Sequence, residues 1–275
     1  MPASRWIRFL LIAWAVWLTF MATWLTFMMF LSNQPAPVWI ARDAITRNTH
    51  FIDLQAVVPV KDGYRVRIAT TAPGLVPPTS VAVKNGRMQT RVGIPEGVGS
   101  HGMHLWSALP ATGEAPDAIS NGTLTILDPQ SPWIAVDIDP FIADRPWSSL
   151  GTDDPPLPHT PVLDGLLQLS QHAVLVCSTR LEEDQLPLFR QWWDLHSFPV
   201  SVIFPETDLI SLSEELTVRL GPPVLRLIPA DKISNNTKPI PERSPAIAIS
   251  GDPAEWQQIE TRLLDLLALE ERKNR

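Results

Sequence analysis

Two aspartates, Asp137 and Asp139, close the apolar run Trp133-Ile134-Ala135-Val136. Carboxylates at alternate positions point to the same side of an extended chain. One of them can attack phosphorus while the other handles the proton of the leaving group, and both can hold a cation such as Mg²⁺. The competing reading is that the pair merely ends a strand and meets solvent. A second apolar run ends in Ser178-Thr179-Arg180, where a hydroxyl and a backbone N–H can hold a phosphoryl oxygen. A later run ends in Pro229-Ala230-Asp231-Lys232, which offers either a further metal-binding acid, Asp231, or an ordinary polar loop.

Elements of regular length must carry these phrases. From residue 132 onward, short apolar runs alternate with helix-length segments, the pattern of a parallel α/β sheet. Strands are expected at 133–137, 173–177, 200–204, 224–228 and 246–249, and helices at 162–171, 182–196, 209–220 and 253–271. Asp252 is placed to cap the last helix, with Pro253 and Glu255 in its first turn. The Pro- and Asp-rich stretch 140–161 directly follows the first strand and reads as a flap or lid. The acids then lie at the carboxyl edge of the sheet, where open α/β folds build their sites.

Upstream, the pattern has period two: Tyr64, Val66 and Ile68 alternate with Arg65, Arg67 and Ala69. Asp62-Gly63, Asn85-Gly86 and Asn121-Gly122 supply the residues that tight hairpins need. The expectation is a small immunoglobulin-like β-sandwich over 51–130, followed by the α/β domain over 131–275.

No charged residue occurs from residue 9 to residue 31. As a helix that run would reach roughly 34 Å, against a hydrocarbon core of about 30 Å. An N-terminal transmembrane helix over 6–31 and a linker over 32–50 are therefore expected, with the membrane as a partner. The protein would be single-pass, its N-terminus in the cytoplasm and its body outside. The formal charge of -7 argues against a nucleic-acid surface, which demands clustered Lys and Arg that the sequence does not show. With Cys177 the only cysteine, neither an intramolecular disulfide nor a cysteine zinc cage can hold the fold.

The phrases 133–139, 174–180 and His196-Ser197-Phe198-Pro199 resemble, in order and spacing, motifs of the haloacid dehalogenase (HAD) superfamily, in its phosphatidate-phosphatase and lipin-like branch. There a hydrophobic strand ends DxDGT, the next ends TAR, and a GFP turn follows the next helix. The resemblance covers 132–275 and implies a HAD-like α/β domain. It implies Asp137 as phosphoryl-accepting nucleophile, Asp139 as general acid/base, Ser178 as the phosphate-binding hydroxyl, and Mg²⁺ held by Asp137, Asp139 and Asp231. The chain departs from the pattern at Pro140 and Phe141, which replace Gly and Thr. It also lacks the Lys expected near 209–220, and its acidic turn keeps only Asp231.

Two expectations follow. The first is weak Mg²⁺-dependent hydrolysis of a phosphorylated substrate through an aspartyl-phosphate. The other is a catalytically inactive HAD-like binding or scaffolding protein of the cell envelope. A third reading leaves the work to the β-sandwich, binding glycan or protein.

Overall fold

Ile52, Leu54 and Ala56 are buried while Phe51 and Gln55 are exposed, so the period-two pattern becomes a strand with one face in a core. The computed structural model describes residues 14, 17–19, 21, 23–24, 38–47, 51–94, 102–113, 119–139, 142–229, 245–249 and 253–273. The chain forms two units, Met1–Pro37 and Val38–Arg275.

In the first unit, the Thr23 hydroxyl donates to the Thr19 carbonyl at 2.8 Å, a helical spacing. Among the described residues, no helix is long and apolar enough to cross a membrane. This corrects the expectation of a single-pass protein, and with it the membrane as partner, the single-pass localisation and the body placed outside the cytoplasm. Spanning takes about 20 consecutive apolar helical residues. Of the run 9–31, only residues 14, 17–19, 21 and 23–24 fall within the described set, and the rest of the expected span lies outside it.

The second unit begins with two sheets. One has the order β6-β3-β1-β8, from Arg87–Gly93, Phe51–Val57, Trp39–Ala41 and Ile119–Ser120. The other is β2-β9-β7-β4-β5, from Ala44–Arg47, Gly122–Leu127, Gly102–Pro110, Arg65–Thr70 and Val81–Ala82. Leu54, Met88, Val66, Trp106, Leu124 and Ile126 form their shared core. β1 runs parallel to β8 and β2 parallel to β9, so both sheets are mixed. An immunoglobulin-like sandwich is built of antiparallel sheets, and the expectation of one is corrected by these parallel pairs. β1 and β2 also occupy the stretch expected to be linker.

The turn residues divide. Asn85 and Gly86 have φ of 52° and 68°, and Gly63 has 82°, as tight turns require. Asn121-Gly122 makes no hairpin, because the chain there leaves one sheet for the other. Gly122 is needed for close approach instead: a Cβ there would lie 2.5 Å from the Arg42 carbonyl oxygen and 2.7 Å from Trp106 Nε1.

A third sheet, all parallel, has the order β12-β11-β10-β13-β14, from Val202–Phe204, Val174–Ser178, Trp133–Asp137, Leu225–Pro229 and Ala246–Ile249. Helices α1 (Thr160–Ser170), α2 (Leu186–Leu195) and α4 (Pro253–Lys273) cover one face, where Ile134, Val136, Leu175 and Leu227 meet Leu166, Phe189 and Trp256. Helix α3 (Leu209–Leu220) covers the other, where Trp133, Ala135 and Val176 meet Leu212 and Leu216. Parallel sheets of this kind are common to open α/β folds, so the architecture does not establish the expected HAD-like fold.

The β-rich and α/β halves share one unit. At their seam Asp43, its side chain 1% exposed, accepts from Thr123 N at 2.7 Å, Ile203 N at 2.7 Å and Arg190 at 2.6 Å. Arg190 also donates to Ser120 Oγ and the Ala41 carbonyl, each at 2.9 Å. Glu183 adds ion pairs to Arg42 and Arg87.

Candidate functional site

The chain runs β10, β11, β12 towards one edge, then returns to place β13 on the far side of β10. That reversal makes β10 and β13 the switch point, and the crevice outside their carboxyl ends is where such sheets bind ligands. Asp137 is the last residue of β10 and is buried, 4% exposed. Its register partner on β11 is Ser178, itself buried. Ile138 N donates to the Ser178 carbonyl at 3.2 Å, carrying the pairing one residue past the strand end. The structure therefore brings together the two residues expected to attack and to bind phosphate.

Asp139 is differently placed. Its Oδ1 accepts from Trp147 Nε1 at 2.6 Å and from Thr179 Oγ1 at 2.8 Å, and its Oδ2 accepts from Arg180 N at 2.5 Å. The Thr179 hydroxyl and the Arg180 N–H, next to the Ser178 hydroxyl expected to bind phosphate, hold this carboxylate. Thr179 is anchored on both sides, donating its N–H to Phe204 O at 3.1 Å and accepting from Thr207 N at 3.2 Å.

Trp147 belongs to the expected lid. Its ring meets Phe189 at 4.9 Å and Trp192 at 5.3 Å, edge to face. Trp192 in turn donates to the Pro156 carbonyl at 2.6 Å. At the lid's base, Asp144 N donates to Leu157 O and His159 N to Ile142 O, each at 3.0 Å. The lid is thus fastened at its base, at its aromatic face and at Asp139.

The magnesium expectation meets a poor donor set. Among the described residues, no group of three or more His, Cys, Asp or Glu could hold a metal ion. Both Asp139 oxygens are already occupied by donors, and Asp231, Lys232, Lys238, Pro140 and Phe141 lie outside the described residues. Of the three expected ligands, only Asp137 and Asp139 are among the described residues.

Ser178 Oγ is buried without a hydrogen-bond partner, the one orphaned hydroxyl at this edge among the described residues. Leaving such a group unpaired costs about 1–3 kcal/mol. Cys177, next to it, is buried, and burial pushes its thiol up to about 12, away from the thiolate form that reacts.

The chain matches no protein-family model. No curated protein matches it either. The HAD resemblance consequently stands on the three short phrases alone. Sequence reasoning singled out the Ser178-Thr179-Arg180 phrase but assigned it to a ligand. It missed Trp147 as Asp139's partner, whose only signal was a tryptophan inside a Pro-rich lid.

Proposed function

We propose that this chain is a non-catalytic binding or scaffolding protein, related to the HAD superfamily through the 133–139 and 174–180 phrases. The observation that carries the reading is the occupied Asp139 carboxylate. A general acid must hold a proton and release it to a leaving group within hydrogen-bond reach. Both oxygens of Asp139 already accept, Oδ1 from Trp147 and Thr179 and Oδ2 from Arg180, which ties the carboxylate to the lid and to the end of β11 rather than leaving it free to serve a leaving group. The carboxylate works here as the pin of a closed lid.

A generic phosphomonoester assayed with and without Mg²⁺ tests this. The expected result is equal, background hydrolysis by the wild type and by Asp137→Asn. Turnover by the wild type that Asp137→Asn abolishes would overturn it.

One observation favours slow hydrolysis through an aspartyl-phosphate at Asp137: the buried, unpartnered Ser178 Oγ beside it, a hydroxyl placed to donate to a phosphoryl oxygen. The same assay decides between the readings, since only the second predicts a rate that depends on both Asp137 and Ser178.

A further inference from the structure

A cleft of about 330 Å³ opens at the seam, between the outer face of β3 and β6 on one side and β12 with α3 on the other. Junctions between structural halves are common places for small-molecule sites, which run from about 300 Å³ upward. Neither Asp137, Asp139 nor Ser178 lines it.

The charged groups on its walls are all held in ion pairs: Arg42 with Glu183, and Asp43 with Arg190 at 2.6 Å. Arg219 pairs with Glu215 at 3.2 Å and with Asp53 at 3.9 Å, and Asp53 also takes Arg91 at 2.8 Å. Each has an opposite partner, so among the described residues no unpaired charge on the wall concentrates an anion or a cation. Neutral polar groups on the same walls are the amides of Gln55 and Gln89. These are direct register partners on neighbouring strands, and both are exposed to solvent. Each amide offers both a carbonyl acceptor and N–H donors. A hydroxyl group is likewise donor and acceptor, and two amides with Cβ atoms about 4.5–5.5 Å apart present such pairs side by side. Thr207, whose hydroxyl donates to the Pro205 carbonyl at 2.8 Å, and the half-buried Phe204, packed against the core beneath α3, also line the cleft, and Phe204 offers apolar surface for C–H groups.

We infer that this cleft binds a neutral saccharide, its hydroxyls meeting Gln55 and Gln89 and its apolar ring face lying towards Phe204. Paired charges, exposed amides and one aromatic wall suit a neutral polyol better than a phosphate or an amino acid, either of which would need an unpaired charge opposite it. The inference is independent of the state of Asp139, and either result of the hydrolysis assay leaves it intact.

The test titrates the full chain with maltose, cellobiose and diacetylchitobiose, using ligand-observed NMR, with L-alanine and inorganic phosphate as the zwitterionic and anionic probes. At least one disaccharide should bind in the millimolar range. Gln55→Ala and Gln89→Ala should each weaken it by about ten-fold, roughly the loss of one or two hydrogen bonds, at an unchanged melting temperature. Both side chains are exposed, so the variants should fold. The inference is overturned if no disaccharide binds at tens of millimolar, if only alanine or phosphate binds, or if both variants bind sugar like the wild type.

Discussion

Asp43 and Arg190 meet at 2.6 Å across the seam, with side chains only 1% and 15% exposed. The pair joins the loop after β1 to helix α2, and its remaining hydrogen bonds reach β8, β9 and β12. Removing one member leaves a buried, uncompensated charge, which typically costs about 3–5 kcal/mol. Arg190→Ala should therefore lower unfolding stability by that amount in denaturant titration. Asp43→Ala combined with Arg190→Ala should cost clearly less than the two single losses added together; strict additivity would count against the coupling.

Trp147 and Asp139 predict how the lid behaves. Trp147→Phe removes the indole donor but keeps much of the ring packing. Asp139→Ala removes the acceptor of all three donors. Limited proteolysis within 144–157 should be faster in both variants, and more so in Asp139→Ala. Equal cleavage in all three proteins would show that the lid is held elsewhere.

Gly165 offers a test by sign. Replacing an interior helical glycine by alanine ordinarily stabilises a helix by about 1 kcal/mol. Here the added Cβ would come within 2.1 Å of the Trp256 ring, where α1 packs on α4. Gly165→Ala should destabilise by about 1–3 kcal/mol through overpacking. A raised melting temperature would contradict that contact.

Two carboxylates give opposite pH slopes. The Arg91 guanidinium holds Asp53 below its ordinary 3.8. Its contribution to stability is present above the unfolded value and lost as pH falls through the lower folded one. Burial pushes Asp43 above 3.8 despite Arg190 and two N–H donors. Its contribution is present below the unfolded value and lost as pH rises through the higher folded one. Compared with the wild type, Arg91→Ala should lose less stability on acidification below about pH 4. A pH-stability profile identical to the wild type would exclude the Asp53 effect.

The thiol of Cys177 should resist alkylation. With its ionisation pushed up to about 12 by burial, iodoacetamide at pH 8 should label it only in denaturant. Rapid labelling of the folded protein would show the end of β11 to be open.

The parallel sheet was legible because its strands are continuous apolar runs: Trp133–Asp137 and Ala246–Ile249 match their expected bounds residue for residue. Helix Leu209–Leu220 does so as well, started by Asp208, whose side chain accepts from Ile210 N and Ser211 N. The mixed sheets were less legible. β1 and β2 are three and four residues long, too short to show a period, and their parallel partners lie far along the chain at β8 and β9. At the site, strand ends gave the positions of Asp137 and Ser178. The fate of Asp139 depended on Trp147, Thr179 and Arg180 converging from separate segments, and local spacing does not encode such a meeting.

One of the two edge strands of the parallel sheet, β12, pairs with β11 alone, and its N–H at Ile203 is taken by Asp43. An unpaired strand edge is a template on which other chains can add. Here the stopper comes from the β-rich half, which leaves the ribosome first. By the time β12 emerges, the group that caps this edge can already be in place. The α/β half made without its predecessor would carry an unguarded edge, and its tendency to aggregate would be a failure of chain order rather than of its own core.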